Sequence, residues 1–256
     1  MWFFENDKTK PVITAQEHIK SGHKRRDGIA LPQTAMLFYL HGAIDFINSH
    51  YNTELITESF PRFLNACDIY KFSGSQVCFL DGGRGAPQAV DTLETLAAFG
   101  VKRVISVGMC GVFAENISVG DIIVPKTAYI EEGTSCHYYK NPEISSADET
   151  LHQSASRAFS NACQAPIVST DAVYRQTFYK EELWRKKGCV GVDMETSALF
   201  SVSRYLGIQT VALLIASDKH PQSETQEKWH WALTREQRYG FVNACTDFAL
   251  NLSHNS

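Results

Sequence analysis

The sequence predicts a single-domain α/β protein with a mixed, largely parallel sheet and helices on both faces. Three observations predict it. Short apolar runs of strand length alternate with amphipathic runs of helix length along most of the chain. A glycine cluster, Gly82-Gly83-Arg84-Gly85, joins one such strand to its helix. No break in composition, internal repeat or low-complexity segment divides the 256 residues, which suffice for one substantial core. At 44% apolar and 20% charged, the composition is that of a soluble globular protein.

Residues 1–33 are polar and read as an N-terminal arm, and residues 34–256 as the domain. The apolar run Thr34 to Leu40 predicts a first buried strand, and His41-Gly42 opens a helix from Ala43 to Ser49. Phe60 to Asn65 and Cys67 to Phe72 read as a strand pair, and Gln76 to Leu80 as a further strand. From Gln88 to Phe99, Ala89, Val90, Leu93, Leu96 and Ala97 share one helical face, and Gly100 closes the helix. Lys102 to Val107 predicts a strand leading to Gly108-Met109-Cys110-Gly111. Ile117 to Pro125 follows, turning at Gly120-Asp121, and then Ala128 to Ile130. Asp148 to Cys163 predicts a surface helix, and Pro166 to Thr170 and Val190 to Val192 predict strands. Thr196 to Leu206 is an amphipathic helix closed by Gly207. Thr210 to Ala216 is a buried strand, with Ser217 and Asp218 at its carboxyl end. Thr234 to Leu252 predicts a long helix with Phe241, Ala244, Cys245, Phe248 and Leu252 facing inward.

Several function classes are disfavoured. The net charge of −4, with one short basic cluster at Lys24-Arg25-Arg26, argues against a nucleic-acid partner. Seven scattered cysteines without a C-x-x-C pair fit free thiols in a reducing compartment. No leader pattern follows Met1, and no apolar run approaches the roughly 18–20 residues needed to span a bilayer. The expectation is a cytoplasmic protein without a membrane partner. Nine histidines lack metal-ligand spacing on any helix, so no metal is expected.

Candidate chemistry gathers between Gly188 and His220. Asp193 and Glu195 precede the Thr196 helix, and Asp218 ends the next strand, where open α/β sheets bind ligands. The first two carboxylates equally suit a helix N-terminus, and Asp218 equally suits a surface loop. The Gly82–Gly85 turn can bring backbone N–H groups to an anion at a helix N-terminus, although it lacks the dinucleotide fingerprint.

Five segments agree in order with one family. V-I-S-V-G-M-C-G-V (104–112) with I-S-V-G-D-I-I-V-P (117–125), E-E-G-T-S-C-H-Y (131–138), S-T-D-A-V-Y (169–174), G-V-D-M-E-T-S-A-L-F (191–200) and I-A-S-D (215–218) resemble the nucleoside phosphorylases. That family includes uridine phosphorylase, hexameric purine nucleoside phosphorylase and related nucleosidases. The resemblance implies a twisted mixed sheet partly closed into a barrel, helices on both faces, no cofactor, and a homodimer or hexamer in which a neighbouring subunit completes the site. It implies cleavage of the N-ribosidic bond of a small-molecule nucleoside, with inorganic phosphate as co-substrate in phosphorylases and water in nucleosidases.

By the same resemblance, Asp218 is the acid toward a purine ring nitrogen, a role that requires its pKa to be raised by burial or a like charge. Glu195 accepts the ribose hydroxyls, and Met194 packs on the sugar. Ser217, Gly108 and Cys110 border the substrate. Val173 stands where the family carries an aromatic ring against the base, and Tyr174 adjoins it. The phosphate arginines have no counterpart: His41-Gly42-Ala43-Ile44-Asp45 follows the first strand, Ser106 occupies the second arginine position, and Met109 replaces a hydroxyl. Arg84, with Gly83, is the candidate substitute, and a surface position for Arg84 is the alternative. Arg235 and Arg238 are candidates for an arginine supporting Asp218. The leading reading is a purine-directed nucleoside phosphorylase. A hydrolytic nucleosidase and a non-catalytic nucleoside-binding protein are the alternatives.

Overall fold

The computed structural model of the chain describes residues 3–21, 28–226 and 228–254; the Lys24-Arg25-Arg26 cluster lies outside them. The elements in order are α1 (Ala15–Lys20), β1 (Thr34–Phe38), α2 (Ala43–His50), β2 (Thr53–Phe60), β3 (Cys67–Phe72), β4 (Val77–Asp81), α3 (Ala86–Ala98), β5 (Arg103–Val112) and β6 (Ile122–Ile123). They continue with β7 (Thr127–Glu131), β8 (Ile144–Ser146), α4 (Glu149–Ala158), β9 (Ile167–Thr170), α5 (Phe178–Lys186), β10 (Gly191–Asp193), α6 (Thr196–Leu206), β11 (Gln209–Lys219) and α7 (Arg235–His254).

All the strands join one mixed sheet, ordered β2-β3-β4-β1-β5-β10-β9-β7-β8, with β11 on the other edge of β5 and β6 on β11. β5 is the hub. Along one edge it pairs in parallel with β1 and then antiparallel with β10; along the other it pairs in parallel with the whole of β11. Ladder hydrogen bonds among the described residues do not run round into a closed ring.

Strand periodicity divides the core. In β1, Met36 and Phe38 face α2, α4 and α7, joining Leu151, Phe241, Val242 and Phe248. Ala35 and Leu37 face α3 and α6, joining Leu93, Leu96, Leu199 and Val202. Successive side chains of a strand point to opposite faces, so a strand apolar throughout is covered on both sides.

Most helix limits follow local chemistry. Asp148 caps α4 by accepting from Leu151 N at 2.8 Å. Gly207 closes α6 in the left-handed region, φ 69°, where a side chain would be strained.

The sequence reading differs from the structure in several places. The arm contains α1, held by a capping box in which Thr14 and Glu17 satisfy each other's backbone N–H. The strand expected at Phe60 to Asn65 lies earlier, at β2; Pro61 ends it, and its edge position explains its weak apolar alternation. Only Ile122–Ile123 of the stretch Ile117 to Pro125 forms ladder bonds. β5 and β11 run beyond their expected ends, through Gly111 and Asp218. α5 was not anticipated, because the residues it buries are Glu181 and Trp184 rather than an apolar stripe.

Candidate active site

The carboxyl ends of β5 and β11 lie side by side. Between Ala216 and Asp218 the register shifts, leaving Ser217 as an extra residue in β11. Such a bulge re-aims the side chain beyond it, and Asp218 enters a cavity of about 580 Å³. β10 ends in the same wall. There Asp193, Met194 and Glu195 make the turn into α6, and all three border the cavity. One helix-plus-strand unit thus delivers a carboxylate to the cavity from each of its ends.

The carboxylates have different surroundings. Asp193 is enclosed by donors: Ser169 Oγ at 2.5 Å on Oδ1, and Thr196 N at 3.1 Å and Oγ1 at 2.5 Å on Oδ2. Its acceptor capacity is spent on β9 and the start of α6, and burial still pushes its pKa up. Glu195 receives the Gly85 N–H at 2.7 Å. Burial and then the Asp193 charge push Glu195 up to about 7, against the Gly85 hydrogen bond and Arg84.

Asp218 does not meet the expectation of a raised pKa. Burial pushes it up, but hydrogen bonds from His220, Ser217 and Trp229 outweigh that and hold it below its ordinary value. The Ser217 hydroxyl is 2.5 Å from Oδ1, the Trp229 indole nitrogen is 2.6 Å from Oδ2, and His220 Nε2 is 3.2 Å from Oδ2. His220 Nδ1 lies 2.6 Å from Glu181 Oε1 of α5.

The other anticipated residues divide into two groups. Met194, Ser217, Cys110, Val173, Tyr174 and Arg84 border the cavity with Glu195 and Asp218. Burial pushes the Cys110 thiol well up, so it is no thiolate nucleophile. Gly83 and Gly108 stand back from the cavity. Gly83 N donates to Asp81 Oδ1 at 2.8 Å. Gly108 is covered by Leu214 and by Tyr39, whose ring also fills the space a Cβ on Gly82 would need.

Arg235 and Arg238 do not reach Asp218. Both guanidinium groups lie 5.2 Å from the Tyr239 ring on α7, and Tyr239 stacks on Phe46. The charged partner of Asp218 is instead His220, two residues along its own strand. Sequence reasoning missed His220, Glu181, Tyr39, Trp229 and Trp231. The His two residues beyond Asp218 was the available signal; Glu181 and the tryptophans reach the cavity only through tertiary folding. Among the described residues, no group of three or more His, Cys, Asp or Glu side chains is arranged to hold a metal ion. No helix among them is long and apolar enough to cross a membrane.

A sequence profile of the phosphorylase superfamily matches residues 47–244. The chain belongs to the phosphorylase superfamily. Among its relatives, a DeoD-type purine nucleoside phosphorylase of Clostridium beijerinckii is 27% identical over 153 residues, 57% of this chain and 65% of the relative. A guanosine phosphorylase of Halorubrum lacusprofundi is 29% identical over 147 residues, 56% of this chain and 61% of the relative. A second DeoD-type enzyme, from Vibrio parahaemolyticus, is 24% identical over 222 residues, 82% of this chain and 91% of the relative. The chain thus spans under two thirds of the length of the first two. Purine nucleoside phosphorylase from Toxoplasma gondii in complex with immucillin-H shares the fold, with a TM-score of 0.73 at 19% identity, covering 97% of this chain and 100% of that one.

In this phosphorylase-superfamily chain, the end of the cavity nearest β1 carries a single arginine among the described residues, Arg84. Arg84 is exposed, and its Nη1 is 3.2 Å from the Gly83 carbonyl. Tyr39, directly after β1, brings a buried hydroxyl without a protein partner to the same end.

Proposed function

We propose that this protein cleaves the N-ribosidic bond of a purine nucleoside, transferring the ribosyl group to inorganic phosphate. The observation that carries the reading is one cavity with Glu195 on one side and Asp218 with His220 on the other. Ribosyl–base cleavage passes through a cation-like ribosyl group and expels a base that must be neutralised, so it needs an anion near the sugar and a polar contact to the base. Glu195 is the acceptor for the ribose hydroxyls, Met194 the apolar contact of the sugar, and Asp218 the contact of the base. Val173 offers no ring to the base; Phe178, Trp229 and Trp231, which also border the cavity, do. The relatives named as purine and guanosine phosphorylases support the choice of purine.

The Arg84 guanidinium is the anion-holding group in this reading. A hydrolytic variant has one observation in its favour: a lone exposed arginine binds a dianion far more weakly than two buried ones. Initial rates on inosine, guanosine, adenosine and uridine, with and without phosphate, decide the matter. Turnover that requires phosphate and falls at least tenfold in Arg84→Ala supports transfer to phosphate. Undiminished turnover without phosphate replaces it with hydrolysis. Binding of a purine nucleoside with no cleavage under either condition sinks the catalytic reading. A homodimer or hexamer in the cytoplasm, with no cofactor, belongs to the same proposal.

A further inference from the structure

The base end of the cavity contains a proton donor distinct from the acid expected there. His220 stands between two carboxylates, with Nδ1 2.6 Å from Glu181 Oε1 and Nε2 3.2 Å from Asp218 Oδ2. Its side chain is 13% exposed and each carboxylate 8%. Both ring nitrogens can serve carboxylate acceptors only when both carry protons. The Glu181 side is short and fixed. The Nε2 side is longer and lies beside Asp218 and Gly111, which border the cavity together with His220 and Glu181. Asp218 already has three donors, from Ser217, Trp229 and His220. A carboxylate so supplied accepts hydrogen bonds and has no proton to give.

We propose that His220, oriented by Glu181, is the general acid that protonates the departing base, and that Asp218 is the acceptor that reads the base's N–H groups. This rests on the ribosidic reading of the cavity. As the glycosidic C–N bond breaks, its electron pair goes to the base, and Nε2–H passes its proton to a ring nitrogen of that base. The imidazole is left neutral and hydrogen-bonded to Glu181. The oxygen nucleophile forms the new bond to the ribosyl carbon, and any proton it carries is released to solvent. The imidazole regains a proton from solvent once the base has left.

The groups facing His220 favour the cation. Glu181 and Arg185 come from α5, with Arg185 tied to Glu181 at 3.7 Å. Asp218 comes from β11, and Trp229 contacts that carboxylate from the segment after it. The Phe113 ring, just beyond β5, lies 6.4 Å away. Burial pushes the imidazolium down, but the hydrogen bonds to Asp218 and Glu181 and their charges raise it to about 9. At neutral pH the proton therefore resides on His220, and Asp218 is ionised. Trp229 is 55% exposed, so it is the donor on Asp218 that an entering base can displace; Ser217 is buried.

The test uses two substrates. A purine leaves readily only when protonated, whereas the phenolate of 4-nitrophenyl β-ribofuranoside leaves without a proton. His220→Gln keeps a hydrogen-bond donor but cannot deliver a proton. Its kcat on the purine nucleoside should fall about 10²–10⁴-fold, with KM within a few-fold, while kcat on the aryl riboside falls far less. The wild-type decline of kcat/KM near pH 9 should vanish in His220→Gln and move to lower pH in Glu181→Gln. Equal loss on both substrates, or loss on neither, overturns the assignment. So does an NMR titration of the wild-type protein in which His220 is neutral at pH 7. If the wild-type protein cleaves neither substrate, the ribosidic reading has failed and this assignment falls with it. If it cleaves both while His220→Gln keeps full purine activity, only this assignment fails.

Discussion

Glu195 is a buried acid whose fold disfavours its own charge. Its pKa rises from 4.5 to about 7 through burial and Asp193. An acid raised on folding favours the folded state below its unfolded value, and that advantage is lost as the pH climbs through the folded value. Glu195 thus penalises stability above about pH 7, by up to about 3 kcal/mol. Glu195→Gln should lower kcat/KM at least 100-fold and yet raise Tm relative to wild type at pH 8, with the difference shrinking toward pH 5. A lower Tm at pH 8 would reject this account. If Glu195 is the ribose acceptor proposed above, kcat/KM of the wild type should rise with pH through about 7 as Glu195 ionises. Arg62 shows the opposite use of a buried charge. It donates to the Asn65 carbonyl at 2.7 Å and, through Nη1, to the Asp81 carbonyl and Thr92 Oγ1, each at 2.9 Å. Thr92 Oγ1 in turn contacts the Gly82 carbonyl at 3.0 Å. Arg62 therefore holds the glycine turn and is not available to an anion. Arg62→Ala leaves these acceptors unpaired and should cost about 3 kcal/mol in a denaturant titration, with phosphate dependence unchanged in the protein that remains folded.

At the scale of elements, the cavity exists because β5 and β11 pair in parallel to their ends and then depart from regularity. The bulge at Ser217 turns Asp218 inward, and β5 must have a bare Cα where that side chain and His220 cross it. A Cβ on Gly111 would collide with His220 Nε2 and lie 3.1 Å from Asp218 Oδ2. Gly111→Ala should lower kcat/KM on the order of tenfold or more by parting that pair, while moving Tm by only a few degrees. An unchanged pH profile with full activity would show that the close approach is not needed. The E-E-G-T-S segment binds elements together. Glu131 accepts the Trp184 indole of α5 at 2.6 Å, and Glu132 accepts from Ser135 and from Ser197 of α6. This segment's chemistry is structural, and it fixes the helix that carries Glu181.

At the scale of the whole molecule, one surface turn holds apolar side chains outward. The backbone N–H groups of Phe63 and Leu64 are pinned by the Asp91 carboxylate at 2.9 and 2.8 Å, and their side chains are 58% and 52% exposed. Ile13, at 61%, stands beside them, next to a second cavity of about 540 Å³. Apolar side chains held outward on a fixed turn suit burial against another surface. Sedimentation of the wild-type protein should show a species larger than the monomer, and Phe63→Asp should shift it toward the monomer. A monomeric wild type would remove this face as a self-association surface.

The division between what was legible and what was not follows from the range of the interactions. The sequence by itself determined the α/β class, the buried strands β1, β4, β5 and β11, and helices α3, α6 and α7, while a common site for Glu195 and Asp218 was an expectation of the family resemblance. Each of these depends on periodicity, a glycine or a motif carried within a few residues. The tertiary structure alone decided which charge pairs with Asp218. Arg235 and Arg238 of α7 lie against Tyr239, while His220 of the same strand contacts Asp218 and is itself held by Glu181 of α5. α5 was illegible for the same reason: it buries a carboxylate, so its inward face reads as polar. Protonation was likewise beyond the sequence. Asp218 and Glu195 are both buried acids, and what separates them is the count of donors that folding brings to each: three to one carboxylate, with a cation among them, and few to the other beside a second negative charge.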